Sequence, residues 1–150
     1  MRRTTVILSA SSLLLIGWFA STFLSTRDSI RTDRVDAPFT LSARAPAGII
    51  LGSGGMYLLY QGTLDGKAIL DVVSNNGRAK HQILLEAGEI GGIYGSAEEW
   101  VGDIQVHYTP VSAKKGTIYA VIYCGDGMNK DDWNLFQELQ ERPISTHILR

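Results

Sequence analysis

A single cysteine, Cys124, stands in a chain of 150 residues. One thiol cannot close an intramolecular disulfide or build a cysteine-based zinc site. It ends an apolar run, YAVIYC, and reads as a small buried core residue. Basic charge is also scarce where a nucleic-acid binder needs it. Residues 47–150 carry eight Lys and Arg against twelve Asp and Glu, a net charge of −4. A phosphate backbone demands a basic footprint, so nucleic acid is not an expected partner. No Asn-x-Ser/Thr acceptor occurs, which disfavours a glycosylated extracellular domain of a eukaryote.

Catalytic and ligand-cradling signatures are missing as well. There is no nucleophile elbow and no Ser-His-Asp grouping with spacing cues. Glu98 and Glu99 are adjacent, so on a strand they point to opposite faces and cannot work as a pair. His81, His107 and His147 share no ligand spacing on one element. Asp126, Asn129, Asp131 and Asp132 cluster, but Met128 and Lys130 fill positions where a calcium loop needs oxygen ligands. The run from Ile49 to Gly55 ends in Gly-x-Gly, yet Tyr57 replaces the third glycine of a dinucleotide loop. Gly88, Gly91, Gly92 and Gly95 lie among Glu86, Glu89, Glu98 and Glu99, whose charge repels a phosphate. No catalytic residue, metal site or cofactor is therefore expected.

Charge is absent from one long stretch, residues 4–24, which follows Arg2 and Arg3. As a helix it would span about 30 Å, the hydrocarbon thickness of a bilayer. Its apolar run is long for a cleaved signal, and Trp18, Phe19 and Phe23 occupy the −3 position of the nearby cut sites. Residues 1–26 are read as an uncleaved transmembrane signal anchor, N-terminus inside. Gly17 and Ser21 repeat at a four-residue spacing that would let helices pack closely in lipid. Residues 27–46 are polar and hold two of the four prolines, and are read as a stalk reaching about 65 Å when extended. Phe39, Leu41 and Ala43 alternate with polar residues, the pattern of a short edge strand.

From residue 47 short apolar runs alternate with turn residues. Strands are predicted over 48–51, 56–63, 67–74, 80–85, 103–109 and 117–124. Asp65-Gly66 and Asn76-Gly77 are hairpin signals that would join three of them into an antiparallel meander. Residues 86–102, with five glycines, read as a long loop. A helix capped by Asn129 is predicted from Lys130 to about Glu141, with Trp133, Phe136 and Leu139 or Gln140 on its packed face. The expected fold is mainly β: an N-terminal transmembrane helix, then a small antiparallel β-sandwich or barrel over 47–150 with one C-terminal helix.

The functional expectation is a membrane-anchored interaction module outside the cytoplasm, periplasmic or extracellular, in a bacterial or phage envelope assembly. Its partners would be the membrane, other envelope proteins and further copies of itself. The alternative is a carbohydrate- or ligand-binding sandwich with Tyr94 and Trp100 as a stacking pair beside carboxylates. A small envelope hydrolase ranks last.

Overall fold

The computed structural model describes residues 26–44, 55–74, 80–96, 103–125, 128–141 and 147–149. Nine strands and one helix lie among them. The strands are β1 (Thr26–Thr32), β2 (Phe39–Arg44), β3 (Met56–Leu64), β4 (Ala68–Ser74), β5 (Lys80–Leu85), β6 (Gly88–Ser96), β7 (Asp103–Pro110), β8 (Gly116–Cys124) and β9 (His147–Leu149). The helix, α1, spans Lys130–Glu141. One sheet has the order β1-β8-β3-β6 and the other β2-β7-β4-β5-β9, with every pair antiparallel. Successive strands alternate between the sheets, except that β4 and β5 are neighbours in the second.

The two-residue period of the side chains explains why these strands stack. In β4, Ala68, Leu70, Val72 and Ser74 are buried, while Ile69, Asp71 and Val73 are half-buried on the outer face. In β7, Ile104, Val106 and Tyr108 point inward. Leu58, Tyr60, Ile118, Ala120, Ile122 and Cys124 meet them from the opposite sheet. Phe39 stacks on Tyr108 with centroids 4.7 Å apart, and the Tyr108 hydroxyl donates to the Val35 carbonyl at 2.8 Å.

The first sheet is also covered over part of its outer face. On its outside, Leu59, Val121 and Tyr123 pack against Leu135 and Leu139 of α1. That is why β8 reads as a nearly continuous apolar run rather than an alternating one. Asn129 caps the helix as expected, accepting from the Asp132 amide at 2.9 Å. Leu139 and Phe136 pack as expected, and the face differs at Trp133. Asp132, Leu135 and Leu139 are buried, Phe136 is half-buried, and Trp133 is 48% exposed.

Three further expectations are corrected. The described part of the segment read as a stalk supplies strands of the sandwich: β1 pairs along its whole length with β8, and β2, the short edge strand expected at 39–43, pairs with β7 at the edge of the second sheet. Its polar residues are consumed by bonds that stitch the two strands together. Thr26 Oγ1 donates to the Arg44 carbonyl at 2.6 Å, and Asp28 Oδ2 accepts from the Ser42 amide at 2.9 Å. Asp65-Gly66 is not a hairpin turn, because β3 and β4 belong to different sheets. Asp65 instead accepts from the amides of Lys114 and Lys115 at 2.7 and 2.8 Å, which holds its carboxyl below the usual range. The second half of the meander stands: β4 and β5 pair directly.

The third correction concerns the glycine-rich stretch, most of which is strand β6 rather than loop. Two of its glycines lie opposite tyrosines of β3: Tyr60 faces Gly92 and Tyr57 faces Gly95. A Cβ on Gly92 would come within 2.5 Å of the Tyr60 hydroxyl oxygen, and one on Gly95 within 2.8 Å of the Tyr57 ring. The missing side chains seat the rings, so aromatic cover replaces the strand propensity that glycine lacks.

Among the described residues no helix is long and apolar enough to cross a membrane. The stretch 4–24, with Gly17 and Ser21, lies outside them, as do the predicted strand 48–51 and Asn76-Gly77.

Candidate functional site

Of the ligand-binding pair proposed from sequence, Tyr94 alone is among the described residues. Tyr94 faces the core at 8% exposure, its ring centroid 5.3 Å from that of His81. It offers no open ring face to a ligand. Trp100 lies outside the described residues, as do Glu98 and Glu99. No group of three His, Cys, Asp or Glu side chains that could hold a metal gathers among the described residues. Cys124 is buried, and burial pushes its thiol up to about 12.

The first sheet carries the chemistry instead, on the outer face that bears α1. Asp132, in the first turn of α1, is only 2% exposed. It lies over β1 and β8. Arg27 Nε donates to Asp132 Oδ2 at 2.8 Å, the Tyr119 hydroxyl donates to Oδ1 at 2.9 Å, and the Tyr123 hydroxyl donates to Oδ2. Arg27 also donates to the hydroxyls of Tyr123, Tyr119 and Ser29 at 3.1, 3.2 and 2.9 Å. Burial disfavours the charged Asp132, but the hydrogen bonds from Arg27, Tyr123 and Tyr119 outweigh it and hold the carboxyl below its ordinary value. Burial, reinforced by the bond to Asp132, raises both tyrosine hydroxyls, so they remain donors at neutral pH. The cluster is closed on itself. It works as a latch that fixes α1 to the sheet.

Beside the latch the sheet face opens into a groove of about 540 Å³. It is lined by Arg31, Thr32 and Asp33 from the end of β1, Gln61 and Gly62 from β3, and Thr117, Ile118 and Tyr119 from β8. The register explains the grouping. Arg31 pairs with Tyr119, and Tyr119 with Gln61, so three outer-face side chains stand in one row across three strands. The latch fixes the Tyr119 ring by its hydroxyl. Arg31 lies over that ring, its guanidinium carbon 5.2 Å from the centroid. Among the described residues no carboxylate is within ion-pair distance of Arg31.

Gly62 lines the groove, and Gly116 lies beside its lining on β8. Gly62 has φ +155 and its Cβ would sit 2.0 Å from the Thr117 carbonyl oxygen; Gly116, φ +145, would meet Thr63 in the same way. Here β3 and β8 approach too closely for any side chain. The groove thus offers an aromatic wall, a guanidinium, an amide, a carboxylate and two hydroxyls on a rigid floor. Such a mixture suits a polar ligand with several hydroxyls.

The second sheet has a polar row on its outer face, Thr40, His107, Asp71 and Gln82. These groups bond to each other. Thr40 Oγ1 lies 3.0 Å from His107 Nδ1, Gln82 Nε2 donates to Asp71 Oδ1 at 2.7 Å, and Lys80 pairs with Asp71 at 3.6 Å. The row is a weaker candidate, since each capture would displace a bond already made.

Sequence reasoning missed Arg31, Gln61 and Tyr119, and took Asp132 only as part of the acidic start of the helix. The only available signal was the alternation within β8, where Tyr119, Val121 and Tyr123 share one face. What lies opposite them comes from β1 and α1, with Arg27 and Asp132 105 residues apart in the chain.

No protein-family profile matches the chain, and no curated protein matches it. Among solved structures it is similar to a point mutant of CBM29-2, studied for ligand recognition by family 29 carbohydrate-binding modules. The identity is 12%, covering 77% of this chain and 78% of that one, with a TM-score of 0.37. It is also similar to another mutant of a family 29 carbohydrate-binding module, at 13% identity over 61% of this chain and 68% of that one, TM-score 0.34. Similarity at this level establishes neither fold nor function.

Proposed function

We propose that the chain is a non-catalytic binding module that captures carbohydrate in the groove beside α1. The observation that carries the reading is the row Arg31, Tyr119, Gln61 on a latched sheet, flanked by Asp33 and Thr117. Sugars present apolar C–H faces and paired hydroxyls. An aromatic wall meets the first, and planar side chains with two donors or acceptors meet the second.

The uncharged stretch 4–24 supports a location at a membrane, with the module outside the cytoplasm. In that setting the module would hold glycan close to the envelope.

The test is binding of the detergent-solubilised full chain to a panel of soluble polysaccharides, followed by calorimetry on any hit. Gln61→Ala and Arg31→Ala leave the latch intact. Each removes hydrogen bonds worth about 1–2 kcal/mol and should weaken binding roughly 5- to 30-fold. A wild-type chain that binds no member of the panel, or groove variants that bind as tightly as wild type, would end the proposal.

A further inference from the structure

Two of the large hydrophobic side chains that remain exposed are aromatic, Tyr57 and Trp133, and they belong to one patch. Trp133 stacks on Phe136 with centroids 5.4 Å apart, and Phe136 meets Tyr57 edge-on at 5.9 Å. Tyr57 rests over Gly55 and Gly95, where any Cβ would collide with or crowd its ring. The patch is therefore held in place from the helix above and the sheet below. Exposed aromatic surface of this kind marks a contact.

Its position says with what. Tyr57 is in register with Tyr123, and Tyr123 with Arg27, the second residue of β1. The patch thus lies at the end of the sandwich where β1 begins, about 10 Å across the sheet from Arg27. The uncharged stretch ends at Leu24, and β1 begins at Thr26. Two residues reach at most about 7 Å. No stalk separates the stretch from the sandwich. The third exposed hydrophobic, Val111, lies alone near the opposite end, where Leu64 pairs with Gly116.

We infer that Trp133, Phe136 and Tyr57 form a lipid-facing foot that rests in the headgroup region of the bilayer holding the chain. This inference rests on the reading of 4–24 as a membrane span. Tryptophan and tyrosine suit that layer because each joins an apolar ring to a hydrogen-bonding group. The geometry then orients the whole module. Gln61 is four residues along β3 from Tyr57, about 13 Å farther from the foot. The groove, on the same outer face but farther along the strands, then stands clear of the membrane and open to ligand.

The test uses the full chain with Trp18→Phe and Trp100→Phe, which leaves Trp133 as the one tryptophan. It is reconstituted into phosphatidylcholine–phosphatidylglycerol vesicles whose acyl chains carry bromine close to the headgroup. If those substitutions impair folding, the difference spectrum between wild type and Trp133→Ser isolates the same signal, because Trp133 is half exposed. Trp133 emission should fall about twofold in the brominated vesicles and should resist aqueous acrylamide, as expected of a ring at the interface. A chain that floats with the vesicles while Trp133 stays unquenched by bromine and open to acrylamide overturns the foot and leaves the anchor standing. A chain that does not float with the vesicles overturns both.

Discussion

Replacing Asp132 with alanine removes a buried carboxylate that ties α1 to the first sheet. The change strands three donors: the Arg27 guanidinium and the hydroxyls of Tyr119 and Tyr123. Removing one partner of a buried ion pair costs about 3–5 kcal/mol. The Arg27 side chain is 37% exposed, so water recovers part of that loss. Tyr123, at 3% exposure, has no such relief, and an unsatisfied buried hydroxyl costs about 1–3 kcal/mol. Alanine returns about 0.5 kcal/mol through its better helix propensity. The net expectation is about 3 kcal/mol, a large share of the roughly 5–15 kcal/mol by which domains of this size are stable. Urea unfolding of the detergent-solubilised chain, followed by circular dichroism, should show the midpoint fall with the slope unchanged. Asp132→Asn keeps one acceptor and should lose less. Arg27→Leu should be non-additive with Asp132→Ala, with a coupling of about 1 kcal/mol or more. A loss below about 0.5 kcal/mol for Asp132→Ala is what a plain surface change gives, and it would refute the latch.

The same latch sets an acid limit. The folded Asp132 carboxyl lies below its ordinary value of 3.8, so the stabilisation it brings is complete above that value and is lost as pH falls through the lower folded one. Midpoints measured from pH 6 downward should drop for wild type and flatten for Asp132→Asn. Gly62→Ala should destabilise by about 2–4 kcal/mol, since it adds strain at a positive φ and drives a carbon into the Thr117 carbonyl; thermal melts would read it. Cys124, buried with its thiol raised to about 12, should resist iodoacetamide in the folded chain at pH 8 and react fully in urea. Mass spectrometry after timed labelling measures both rates.

Much of the sandwich was legible in the sequence wherever neighbouring residues decide the outcome. The strands β3, β4, β5, β7 and β8 follow apolar runs with turn residues between them, and Asn129 marks the start of α1 by a local hydrogen bond. The errors arise where a distant partner decides. β1 is polar because its residues are spent on β2 and α1, so it looked like a stalk. β6 is rich in glycine because tyrosines of β3 lie over it, so it looked like a loop. Trp133 falls near the apolar stripe of α1, but the buried Asp132 turns the helix so that the aromatic faces outward. The groove was invisible for the same reason. Its three central residues sit in β1, β3 and β8 and meet only through register.

The central claim is that the row Arg31, Tyr119, Gln61 holds a ligand, and one calorimetric comparison tests it most directly. The full chain and its Gln61→Ala variant would be titrated with the polysaccharide that the wild type retains best, after circular dichroism shows equal folding. The account predicts saturable binding by the wild type and a loss of roughly tenfold, about 1.4 kcal/mol, in the variant. Equal affinity for the two would contradict it and place any ligand elsewhere on the sandwich.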